Sequence, residues 1–209
     1  MQNTQDSFVR LTWTTSGQIF NSTEPEDFHR NILGEIYIGT NSEKPSGRFE
    51  VSYLNLVGAV NNEIDLWSVF DLTAETSKFY EPLISEDGIF FKDIVHEITE
   101  INLDLTNLLI LDRIEITANH RGSRMTPKII RCIERAFGYG ASIMALKAFP
   151  LQFESNLSNP KDPQWFSSMK MHRLEQQQNK AQTKLEHYYS SIGFNQLNSE
   201  GIMVMPIND

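Results

Sequence analysis

Residues 108–127, LLILDRIEITANHRGSRMTP, restrict the possible folds more than any other stretch of the chain. An apolar, alternating run leads directly into the polar segment His120-Arg121-Gly122-Ser123-Arg124. Pro127 follows, and Ile129, Ile130, Ile133, Ala136 and Phe137 then recur at helical spacing. A strand that passes through a tight turn into a helix leaves the first amides of that helix without intrahelical partners. Such amides, aligned with the helix dipole, suit an anion. Proline fits the first helical position because its missing N–H had no partner to lose there. Arg121, Arg124 and Lys128 bring cations to the same place. The segment predicts a phosphate-holding turn.

A chain of 209 residues that is 40% hydrophobic and 22% charged is ordinary globular material and predicts one domain with a full core. A net charge of −9 argues against nucleic acid or an anionic membrane as the main partner. No stretch has the apolar character of a signal peptide or a membrane span, which gives a cytoplasmic expectation. Cys132 stands alone, so no disulfide forms within the chain. Asn21-Ser22-Thr23 and Asn156-Leu157-Ser158 match the glycosylation pattern, which the absence of a secretion signal makes a chance match.

Along the chain, Phe8–Trp13 and Ile36–Ile38 alternate as strands, and Phe49–Val60 reads as one long strand with a bulge at Gly58. Helical spacing runs from Asp65 to Ile84 through Leu66, Phe70, Ala74, Tyr80 and Leu83. Phe90–Ile101 is ambiguous between strand and helix. Its His96-Glu97-Ile98-Thr99-Glu100 is half of a zinc-protease motif, but Glu100 stands where the second histidine is needed, so no metal site is expected. Gly138-Tyr139-Gly140 follows a helix and is a stop signal. Ala141–Ala148 then closes a βαβ unit that began at Leu108. A polar, proline-bearing loop follows over residues 155–163. Asp162-Pro163 caps a long helical pattern, whose polar middle at Glu175–Lys180 is a solvated stretch or a break. Gly193 ends that pattern and Gly201–Ile207 is a last strand.

Three segments resemble the GNAT-type N-acetyltransferase superfamily, in the right order. They are Asn119–Arg124, the strand IMALKAF, and Tyr188-Tyr189-Ser190-Ser191-Ile192-Gly193-Phe194, with a tyrosine four residues before Gly-Phe. The resemblance covers about residues 108–207 and implies an α/β (α+β) fold with a mixed, mostly antiparallel central sheet flanked by helices. It implies one domain over 1–209, in which 1–107 shapes the acceptor side and 108–207 binds CoA. The family's Arg-Gly-x-Gly-x-Gly keeps only Gly122 here, with Arg124 and Thr126 at the other two glycine positions. A Cβ at each either crowds the pyrophosphate or requires positive φ.

The resemblance further implies acetyl-CoA as cosubstrate, held by Ile116, Thr117, Arg121, Gly122, Ser123, Arg124, Met125, Thr126 and Lys128. A backbone N–H near Ile116 would bond the thioester carbonyl, help that needs no particular side chain. Tyr189 matches the family's proton donor, with Tyr188 as the fallback one register away. Alternation sets Glu115 and Thr117 on the face opposite Ile114 and Ile116, so Glu115 is a candidate base or simply the ion-pair partner of Arg113. The expected function is an N-acetyltransferase acting by direct attack on a small-molecule or peptide amine, with a homodimer left open. The alternative is a catalytically inactive binding or regulatory protein of the same fold.

Overall fold

The computed structural model describes residues 8–16, 23–40, 42–100, 105–154 and 162–207. Residues 1–7, most of both glycosylation patterns and most of the 155–163 loop lie outside the described residues. Strands β1 (Val9–Ser16), β2 (His29–Ile38) and β3 (Gly47–Leu54) form an antiparallel meander. β4 (Asn107–Ile116) pairs antiparallel with β3 and parallel with β5 (Ala141–Lys147). β7 (Ile202–Pro206) lies antiparallel on β5, and the short β6 (Asn195–Gln196) forms the edge. The result is one seven-stranded sheet in the order β1-β2-β3-β4-β5-β7-β6. Parallel neighbours need a crossover, and helix α6 (Thr126–Phe137) supplies it between β4 and β5.

The central run Leu108-Leu109-Ile110-Leu111 is apolar at every position because both faces of β4 are covered. Leu108 and Ile110 point to one core, Leu109 and Leu111 to the other. On the first face lie five short helices: α1 (Leu56–Asn61), α2 (Leu66–Phe70), α3 (Ala74–Ser77), α4 (Tyr80–Leu83) and α5 (Asp93–Thr99). Their Leu66, Phe70, Leu83 and Val95 share a core with Ile143 and Val204 of β5 and β7. On the second face α6 packs Ile129, Ile130 and Ile133, and α8 (Gln178–Ser190) packs Leu185 and Tyr189. This is a mixed α/β fold with a mostly antiparallel open sheet flanked by helices.

Three elements differ from the sequence expectation, each through a helix cap. β3 ends at Leu54 because the Asn55 side chain accepts a bond from Gly58 N at 3.0 Å and starts α1. Gly58 therefore belongs to a helical turn, and a Cβ there would collide with the capping side chain of Asn55. The single helix expected over Asp65–Ile84 is three: α2 ends at Phe70, Thr73 accepts a bond from Thr76 N and starts α3, and α4 follows Phe79 without a side-chain cap. The long pattern after Pro163 breaks at Lys170, whose φ of 43° is left-handed, into α7 (Pro163–Met169) and α8. The ambiguous segment resolves into a bridge at Phe91 and helix α5. No helix among the described residues is long and apolar enough to cross a membrane.

Candidate functional site

A bulge in β4 creates the opening. Val51 faces Leu111 and Glu50 faces Arg113, so Asp112 has no counterpart on β3. The extra residue reverses the alternation: Leu109 and Leu111 point to the α6–α8 side, and beyond the bulge Ile114 and Ile116 do so. At the same level β4 leaves β5. Their last pair is Leu111↔Leu146, whereas pairing with β3 continues to Ile116. The C-terminal end of β4 thus presents a backbone edge that β5 does not pair to a cleft of about 540 Å³.

The turn expected to hold a phosphate closes one end of this cleft. No backbone acceptor among the described residues takes the amides of Gly122, Ser123, Arg124 or Met125. Gly122 has φ +74° and nothing within 4 Å of a Cβ position. Arg124 has φ 56°, a left-handed backbone that glycine adopts more readily than a residue with a Cβ. Helix α6 begins with Pro127 near its start and no side-chain cap. Its first amides therefore face the turn. His120 fixes the turn from inside, with Nδ1 3.0 Å from Thr117 Oγ1 and Nε2 3.4 Å from Ser46 Oγ.

Arg121 turns inward. Its Nε donates to Ile116 O at 2.9 Å, and Nη2 lies 3.9 and 3.8 Å from the sulfurs of Met169 and Met171. Burial pulls its pKa below the ordinary arginine value, with the charge of Glu115 opposing. Arg124 and Lys128 remain exposed beside the turn. Ser123 donates to His120 O at 2.6 Å.

Both tyrosines border the cleft, but differently. Tyr189 is 8% exposed and packs edge-on against Phe194, ring centroids 5.7 Å apart. Burial, then the neighbouring Tyr188, raises its pKa, so the phenol holds its proton at neutral pH. Tyr188 is 37% exposed.

Of the residues expected from sequence, Ile116, Arg121, Gly122, Arg124, Met125 and Thr126 line the cleft together with Tyr189. Thr117, Ser123 and Lys128 stand around the turn and are not among its lining residues. Nor is Glu115. Its oxygens accept from Arg113 Nε at 2.6 Å and from Trp165 Nε1, and its side chain is only 12% exposed. Trp165 in turn lies under Arg48, whose guanidinium carbon is 4.2 Å from the ring centroid. Among the described residues no group of three or more His, Cys, Asp or Glu side chains is placed to hold a metal ion.

No family model matches the chain, and neither a curated protein nor a solved structure matches it. The assignment of function therefore rests on the cleft itself.

Sequence reasoning did not single out Asp112 or the far wall of the cleft, Met169, Met171 and Leu174. The wall comes from the end of α7 and the turn that follows it, whose position no local pattern reveals. Asp112 did leave a signal. Apolar residues fall on 109 and 111 and then on 114 and 116, a slip of one that marks a bulge at the charged pair Asp112-Arg113 between them.

Proposed function

We propose that the protein is an acyltransferase that takes an acetyl group from acetyl-CoA and passes it to an amine. The observation that carries this reading is the parting of β4 from β5 directly beside a turn of unpaired amides. An extended thioester arm can hydrogen-bond the free edge of β4 while its pyrophosphate meets the start of α6. Direct attack by the amine then needs carbonyl polarisation, which the β4 edge can give through a backbone N–H near Ile116. It also needs a proton for the departing thiolate, for which Tyr189 is the buried, protonated candidate. The resemblance to GNAT-type N-acetyltransferases points the same way, through the order of the elements and the tyrosine before Gly193-Phe194.

Calorimetry with acetyl-CoA at about 100 μM protein tests this, since even a micromolar site gives a measurable heat there. Saturable heat is expected. No heat would refute cofactor binding and, with it, this function.

A non-catalytic protein of the same fold is the second reading. One observation favours it: Arg121 spends its guanidinium on Ile116 O and two methionine sulfurs rather than offering it to an anion. Acetyl-CoA binding without transfer to any amine would select that reading.

A further inference from the structure

Lys147 is the residue on β5 that follows the last pair with β4, Leu111↔Leu146. It therefore stands where the two strands part, and it lines the cleft. The residues before it, Ile143, Met144, Ala145 and Leu146, are buried and apolar. Lys147 is the first charge on the strand and is half-buried. The backbone around it is fixed, since Lys147 pairs with Ile202 of β7 and Ala148 N donates to Gly201 O at 2.8 Å. A flexible stem ending in an ammonium thus grows from a rigid strand into the opening.

The other cations of the cleft are engaged differently. Lys184 of α8 also lines it, but its side chain is 68% exposed and Nζ lies 2.6 Å from Glu175 Oε2. Arg113 is committed to Glu115 and Glu154, and Arg121 to Ile116 O. Lys147 Nζ has no hydrogen bond or ion pair among the described residues. Of the two cleft lysines, only Lys147 has an amine to offer. Alternation sets its side chain on the α1–α5 side. Ile143 and Ala145 belong to that core, whereas Met144 and Leu146 belong to the core that holds Tyr189. A thioester seated between the parted strands would meet the amine from one face of the sheet and the phenol from the other.

Resting on the acyl-transfer reading, we propose that Lys147 is an acyl acceptor within the chain, acetylated at Nζ by the acetyl-CoA bound beside it. The neutral amine attacks the thioester carbonyl carbon, the N–C bond forms and the C–S bond breaks. The nitrogen's surplus proton passes to water. The thiolate takes a proton from Tyr189, which solvent restores. The products are acetyl-lysine and free CoA, one of each per chain, because the amide does not turn over. The modification removes a positive charge from the cleft and leaves an acetyl group where the strands part, so it limits further transfer.

Peptide mapping by mass spectrometry tests this on the full chain incubated with acetyl-CoA. Exposed Lys44, between β2 and β3, is the internal reference. An amine held beside the thioester needs no bimolecular encounter, so Lys147 should be acetylated at least about tenfold faster than Lys44. Its rate should saturate in acetyl-CoA, and Lys184 should follow Lys44. S-acetylcysteamine, a thioester without the nucleotide, should show no such preference. Tyr189→Phe should slow Lys147 by at least about tenfold and leave Lys44 unchanged. Lys147→Arg keeps the charge. It should lose the single-turnover release of thiol while its acetyl-CoA affinity, measured by calorimetry, stays within about twofold. Lys147 modified no faster than Lys44 with acetyl-CoA bound, or the same preference with S-acetylcysteamine, would overturn the assignment and leave the acyl-transfer reading standing. Single-turnover thiol release that persists in Lys147→Arg would do the same. An unchanged Lys147 rate in Tyr189→Phe would overturn the proton route through the phenol. Failure to bind acetyl-CoA overturns the proposed function, and this assignment with it.

Discussion

Arg113 of β4 and Glu154, beyond the end of β5, meet across the space where the two strands have parted. Nη1 and Nη2 lie 2.7 and 2.8 Å from the two carboxylate oxygens, a bidentate pair. Arg113 also holds Glu115 through Nε at 2.6 Å. Burial works against its charge, but the two carboxylates more than offset that and raise its pKa. The clasp ties the free ends of β4 and β5 where no backbone ladder does.

Arg113→Ala should therefore cost more than the loss of one surface ion pair. It leaves Glu115 with Trp165 as its remaining partner in a mostly buried position. A loss of roughly 1–3 kcal/mol is expected in urea unfolding. Glu154→Gln, which keeps the Arg113–Glu115 bond, should cost less than half as much. Equal costs would mean that the clasp, rather than Glu115, carries the energy.

Arg124→Gly should separate strain from charge. A non-glycine residue at φ 56° is disfavoured by about 1 kcal/mol, so glycine should raise the melting temperature by about 2–4 °C. If Arg124 also contacts a phosphate, acetyl-CoA binding should weaken by up to about tenfold and depend less on salt. Tighter binding in Arg124→Gly would show that the side chain obstructs the turn.

Tyr189→Phe should lower turnover by about 100-fold with acetyl-CoA affinity nearly unchanged, since a proton donor acts in the transition state. Tyr188→Phe is the control from the same helix end. The reverse ranking would assign proton donation to the exposed phenol.

Asp112→Asn should change how stability depends on pH. The carboxyl's ordinary value is 3.8 and its folded value is about 7. Between these values the folded state keeps a proton that the unfolded state has released, so wild-type stability falls as pH rises through that window and is level above it. The variant lacks this decline. Its advantage should be absent below the window, grow across it and reach at most about 4 kcal/mol. Unfolding midpoints in urea at several pH values measure this directly. A constant difference would show that Asp112 ionises as an ordinary carboxylate.

How far the sequence revealed this architecture depended on whether the signal was local. The passage from Leu108 through Gly122 to Phe137 is legible because strand alternation, a turn and helical spacing follow one another without interruption. The short helices were harder. Asn55 and Thr73 each cap a helix inside a stretch whose pattern suggests one longer element, and the cap outweighs the pattern. At the site, Gly122, Arg124 and Tyr189 were found from local pattern and resemblance. The far wall was not. Met169 and Met171 reach the cleft only because a left-handed Lys170 turns the chain there, and neither residue differs in kind from any core methionine.

The helices α1–α5 arise wholly from the first half of the chain, yet they floor the strands of the second. Leu66, Phe70 and Val95 share one core with Leu108, Ile143 and Val204. The two halves are therefore not exchangeable modules. A fragment starting at β4 would leave the underside of its own strands bare, an apolar face that drives self-association. A hybrid carrying a foreign first half would have to match that underside side chain for side chain. A change in the packing face of α1–α5 is thus also a change in the floor of β4, β5 and β7.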